Sequence, residues 1–169
     1  MEHSVSTLKT NTIQAATGST VNVASGHIIT QPGSVIQVVN AQYATETSTS
    51  SGTYSDTGLT ATITPKFATS KVLVQLNQNG IYKTADASGN FVSVKVFRDS
   101  TELGVVADGA AYTATAVRNN IGTCSYVKLD NPATTNAVTY KTQFAANGTN
   151  GYVQTNNVAS DITLMEIAQ

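Results

Sequence analysis

Few side chains in this sequence are of a type and spacing that do chemistry. His3 and His27 are the only histidines, and neither has a second His or Cys at metal-ligand spacing. Asp99 and Glu102 flank the turn RDSTE, where two carboxylates could meet as a glycosidase pair does. Hairpin tips are often acidic for a plainer reason, because Asp bonds its own backbone. Asp86 and Asn90 in DASGN suggest a calcium loop, but the alternating ligands and bidentate Glu of such loops are missing. Cys124, the single cysteine, has no basic neighbour in sequence to lower its pKa, which predicts a buried, inert thiol. It also excludes an intramolecular disulfide. No G-x-S-x-G elbow, P-loop or dinucleotide glycine fingerprint occurs. Asn147-Gly148-Thr149 is formally a glycosylation acceptor and reads here as a turn. Neither a catalytic centre, a metal nor a cofactor is expected.

The tyrosines offer a different chemistry. Seven Tyr stand against four Phe and no Trp. An aromatic ring with a polar tip suits an interface or a sugar. Tyr82 and Tyr152, each beside a turn, are the candidate glycan contacts. Core or interface use is the plainer role for the set.

The elements that must position these residues are strands. In VIQVVNAQY, DTGLTATITP and SKVLVQLNQNG apolar residues recur at every second position, the side-chain period of a pleated strand. Strands are predicted at 35–43, 54–64, 71–80, 91–98, 102–106, 112–119, 123–129, 137–145, 151–154 and 161–167. Turn chemistry fills the gaps at DASGN, RDSTE, DNPA and NGTNG. Many short strands at this spacing predict an all-β chain, an antiparallel, jelly-roll-like sandwich over residues 35–169. The best rival for a helix is ADGAAYTATAV, where Gly109 and the threonines oppose the alanines.

Residues 1–34 differ from the rest. Gly18, Gly26 and Gly33 recur at near-regular spacing, each heading a short apolar run, as in TGSTVNV, SGHIITQ and PGSVIQVV. Such coils need neighbours to bury their apolar side. The segment is expected to be an extended arm with short β segments, with Leu8, Ile13, Val21, Val23 and Ile28 as its candidate contact residues and a flexible leader as the alternative.

Composition removes several function classes. Charged residues are only 11%, with nine Lys and Arg against ten Asp and Glu and neither sign clustered, so no basic stripe is available for nucleic acid. No apolar run approaches the length needed to span a bilayer, and MEHSVSTLKT lacks the order of a signal peptide, so a soluble, unprocessed chain is expected. Thr, Ser, Asn and Gln carry the polarity instead. Both sides of some strands are apolar: Val35, Val39 and Tyr43 lie on one face of the first strand and Ile36 and Val38 on the other, while Phe91 and Phe97 oppose Val92, Val94 and Val96. A strand apolar on both sides wants two covers. The candidate oligomer interface is therefore Val35, Val39, Tyr43, Phe91 and Phe97, and a contact between subunits is expected.

The opening STLKTNTIQ, the junction PGSVIQVVNAQY, the link TSTSSGTYSDTGLTATITPKFATSKVLV, the hairpin VKVFRDSTELG and the closing SDITLMEIAQ resemble small virion structural proteins of tailed phages, especially marine and cyanobacterial phages. The resemblance covers most of the chain, and DTGL-x-A-x-ITP-x-x-x-TSKVLV is its most specific part. It implies a non-enzymatic fibre, knob or decoration unit on head or tail. Such units are usually trimeric and dock onto other virion proteins through the arm. It implies a location on the virion surface after synthesis in the bacterial cytoplasm, and no catalytic residues to carry over. The short length and the lack of a coiled-coil or collagen-like shaft favour a decoration or head-fibre unit. A carbohydrate-binding module that contacts host cell-surface glycans is the second reading, and a glycan-cleaving enzyme resting on Asp99 is a third.

Overall fold

The computed structural model describes residues 17, 18, 25, 29–84, 89–112, 119–148 and 150–169, with backbone alone at 119–121. The arm candidates Leu8, Ile13, Val21, Val23 and Ile28, and both histidines, lie outside the described residues. The chain divides into two units, Met1–Thr30 and Gln31–Gln169. The described strands belong to the second.

That unit is all-β, as the alternation predicts. Its strands are β1 (Val35–Tyr43), β2 (Thr47–Thr49), β3 (Ser55–Ile63), β4 (Lys71–Lys83), β5 (Phe91–Arg98), β6 (Thr101–Ala110), β7 (Asn119–Asp130), β8 (Val138–Asn147), β9 (Gly151–Val153) and β10 (Ser160–Ile167). They form two antiparallel sheets. The larger runs β1-β10-β4-β9-β2, with β7 on the other side of β4; the smaller runs β3-β8-β5-β6. The long β4 organises the larger sheet, since it carries β10 along Lys71–Asn77 and then β9 at Tyr82 and Lys83, while β7 follows its opposite edge. A 3-10 turn, Thr155–Asn157, joins β9 to β10.

The facing sides bury two apolar clusters. Leu59, Ile63, Val72, Val74, Leu76, Val96, Tyr140, Ile162 and Leu164 make the first, and Ile81, Val92, Val94, Phe144 and Val153 the second. Fully burying a side chain of this size stabilises by about 1.5–3 kcal/mol before entropy is counted. A buried polar chain of Thr57, Thr142, Gln78, Ser160 and Gln154 also runs through the interior. It links the smaller sheet to the larger.

Two carboxylates lock the periphery. Asp130 accepts from Arg98 Nη1 at 2.7 Å and from the buried Tyr140 hydroxyl at 2.8 Å. Glu166, fully buried on β10, accepts from the Gln37 side chain and from the backbone N–H groups of Lys66 at 2.8 Å and Phe67 at 3.3 Å. It thereby fixes the connection between β3 and β4. Burial pushes its pKa up, but these donors outweigh that and hold it below the ordinary glutamate value. A carboxyl whose folded pKa is depressed adds stability that is complete above its unfolded pKa and lost as pH falls through the folded one. Thermal unfolding followed from pH 7 downward should therefore show a loss of Tm below the ordinary carboxylate range. Glu166→Gln should start with a lower Tm at pH 7 and lose less on acidification; parallel curves for the two proteins would refute this role.

Candidate functional site

The sandwich presents two outer faces, and the singled-out residues divide between them. On the outer face of the larger sheet Tyr82 and Tyr152 are register partners across β4 and β9, with ring centroids 5.9 Å apart and planes tilted by 50°. Their neighbours Ile81, Lys83, Gly151 and Val153 are buried on the core side, which turns both half-buried rings outward. The structure thus brings the two glycan candidates together. Beside them the face is a polar ladder: Thr123 donates to Asn79 Oδ1 at 2.6 Å, Ser125 to Asn77 Oδ1 at 2.7 Å, and Asn40 to Thr163 Oγ1 at 2.9 Å.

Further along, the same face turns apolar. Val38 pairs with Met165, Met165 with Leu73, and Leu73 with Leu129, giving one row across β1, β10, β4 and β7. Val127 lies next to the row on β7. Val38, Val127 and Leu129 are 57%, 62% and 50% exposed. This row includes none of the five interface candidates named from the sequence. A bulge between Val35 and Gln37 puts Val35 out of phase with Val39. Val35 is exposed at the strand start, whereas Val39 and Tyr43 pack against the chain's own core. The Tyr43 ring lies over Gly58, where a Cβ would come within 2.2 Å of it.

Phe91 and Phe97 are half-buried on the outer face of the smaller sheet, opposite the fully buried Val92, Val94 and Val96. Phe91 lines a hollow of about 330 Å³. Its floor is Ser93 and Ala145, cross-strand partners on β5 and β8; Tyr54, Asp108 and Asn147 stand around it. Asp108 Oδ1 accepts from Ser93 Oγ at 2.6 Å. Lys95 Nζ sits 4.6 Å from the centroid of the Tyr54 ring and 2.8 Å from Glu102 Oε2. The hollow draws on four separate strands and links, a juxtaposition that spacing along the sequence does not encode.

Two of the remaining chemical candidates, Asp99 and Glu102, have structural partners. Asp99, at positive φ in the hairpin tip, accepts the Thr139 N–H at 3.0 Å, and Glu102 holds Lys95. The supposed glycosidase pair thus consists of a turn acid and one half of an ion pair. Cys124 is half-buried, and burial pushes its thiol up to about 11, so it is protonated at neutral pH. Asn90 is buried, and Asp86 lies outside the described residues. Among the described residues no group of three His, Cys, Asp or Glu side chains is placed to hold a metal ion, and no helix is long and apolar enough to cross a membrane.

No family model matches the chain, and no curated protein matches it. Among solved structures it is similar to the VP2 subviral particle of infectious bursal disease virus, with 13% identity and a TM-score of 0.47, over 88% of this chain and 36% of that one. It is also similar to the structure of the Gx strain of the same virus, at 14% identity and a TM-score of 0.45 over the same shares. The chain spans 36% of the length of these two proteins.

Proposed function

We propose that this chain is a non-enzymatic virion structural protein of a tailed phage. In this reading it is a surface-displayed decoration or fibre unit that associates as a homotrimer and docks through its N-terminal arm. The resemblance of its motifs to small phage virion proteins supports the class. The observation that carries the assembly reading is the apolar row of Val38, Met165, Leu73 and Leu129 on the larger sheet. A rigid sheet that already covers its core on one side, and shows a four-strand-wide apolar row on the other, has the anatomy of a surface closed by another copy. Copies held together around a common axis multiply weak contacts by avidity, which suits a display role.

Light scattering on the full chain at micromolar concentration should give three times the 17.6 kDa chain mass. Leu129→Lys with Val127→Lys should give the monomer while retaining the β-rich circular dichroism spectrum. A monomeric unmodified chain would remove the trimer, and a trimer unaffected by both lysines would move the interface elsewhere. Electron microscopy of particles carrying a labelled chain tests the virion location itself.

A second reading, carbohydrate recognition, is favoured by the outward Tyr82–Tyr152 pair beside an Asn/Ser/Thr ladder. The rings would stack on a sugar face while the ladder meets its hydroxyls.

A further inference from the structure

We infer that the hollow on the outer face of the smaller sheet is a binding site for a neutral saccharide, one pyranose ring deep and separate from the Tyr82–Tyr152 pair. It stands on its own geometry and holds whether or not the chain is a virion component.

Size comes first. A space of about 330 Å³ is at the small end of ligand pockets and accommodates a single sugar ring with its substituents. Small residues line it, Ala145 and Ala146 on β8 and Gly52 on the link before β3. It is also preformed. The Ala146 N–H donates to Ser51 O at 2.8 Å, which ties the link bearing Gly52 and Tyr54 to β8, and the Thr53 N–H donates to Ser51 Oγ at 2.9 Å within the link. The Tyr54 ring is further held under the Lys95 ammonium.

The lining supplies both halves of sugar recognition. Phe91 and Tyr54 offer aromatic surface for the C–H face of a pyranose. Asp108 and Asn147 offer a carboxylate and an amide for its hydroxyls. Asp108 is oriented by the nearly buried Ser93 hydroxyl, which occupies one carboxylate oxygen and leaves the other to accept from the ligand. Such charge-assisted bonds to hydroxyls are the stronger kind.

Charge decides against the other ligand classes. An anion would meet the Asp108 carboxylate. A cation drawn to that carboxylate would find the Tyr54 ring already engaged by the ammonium of Lys95. A neutral polyol with one apolar face conflicts with neither group.

The test is a titration of the 15N-labelled full chain with methyl glycosides of glucose, galactose and mannose, one by one, followed by amide shifts, with choline chloride as the cationic probe. At least one glycoside should give saturable shifts at Phe91, Ser93 and Gly148, while choline gives none. Asp108→Asn and Tyr54→Ala should each weaken that binding on the order of tenfold or more, and Tyr82→Ala should leave it unchanged. Saturable choline shifts, or the absence of saturable shifts with every glycoside, would overturn the assignment. Shifts confined to Tyr82 and Tyr152 would likewise overturn it, and would favour the other aromatic pair as the glycan contact. Should Tyr54→Ala unfold, Asp108→Asn alone decides, since the exposed Asp108 carries no core packing.

Discussion

Gly80→Ala is expected to lower stability by about 3 kcal/mol, a fall in Tm of roughly 6–12 °C for a chain of this size. Gly80 has φ +63, where an alanine is already strained by about 1–2 kcal/mol. It also faces the turn after β9: a Cβ would lie 2.4 Å from Thr155 N and 2.9 Å from Gln154 C. Both are backbone atoms and cannot rotate aside. Gln154 is held by its N–H donating to Asn79 O at 2.9 Å and is itself at φ 54, so retreat of the turn would break that bond. Gly109→Ala is the control. Gly109 has φ +75 with nothing within 4 Å of its Cβ position, so it should cost only the backbone strain, about 1–2 kcal/mol. Equal losses for the two variants in urea unfolding would show that the contact with the β9–β10 turn contributes nothing.

The same glycine shows where sequence reading stops. The alternation in SKVLVQLNQNG marks β4 well, but the predicted strand ends at Gly80, whereas β4 continues to Lys83 through bulges on either side of Ile81. A glycine at positive φ usually ends a strand; here pairing to both β7 and β9 carries the strand through it. β2 was invisible for the opposite reason. Thr47–Thr49 lies in a Ser/Thr run with no apolar alternation, and only its pairing with Gly151–Val153 makes it a strand. The two-sided apolar character of β1 was legible, and one side does face the core while Val38 faces out. Which residues share a face was not, because a single bulge reverses the phase of Val35. In the candidate sites, Tyr82 and Tyr152 could be picked as turn-adjacent rings but not paired, since their meeting depends on the β4–β9 register. Tyr54, Phe91, Asp108 and Asn147 share no local pattern at all. Their convergence is a product of the sheet order β3-β8-β5-β6 and of the link that crosses β8.

Gln78→Leu should lower stability by about 2–4 kcal/mol, and a second substitution at Thr142 should add less than its own separate cost. The hydrogen bonds run in one direction. The Leu59 N–H donates to Thr57 Oγ1 at 3.1 Å, and Thr142 donates to Gln78 Oε1 at 2.8 Å. With the Thr142 proton so committed, the 2.6 Å contact between Thr57 and Thr142 is a donation from Thr57. Gln78 Nε2 then donates to Ser160 Oγ at 3.0 Å, where the Asn79 N–H also arrives at 2.9 Å. Gln78 is the only member of this chain that both accepts from the smaller sheet and donates within the larger one. Leucine at 78 leaves the Thr142 hydroxyl without its acceptor in a site shielded from water, which costs the desolvation of that group and not merely the net value of a bond. Thr142→Val alone strands two groups, the Thr57 proton and Gln78 Oε1, whereas in the double variant only the Thr57 proton lacks its partner. The double variant Gln78→Leu, Thr142→Val should therefore be more stable than the sum of the single losses implies, with a coupling of about 1–2 kcal/mol in a double-mutant cycle by urea unfolding. Strictly additive losses would mean that the polar chain does not act as a connected unit. The two sheets would then be held by the apolar clusters alone, and the buried polar residues would be tolerated there without setting how the sheets align.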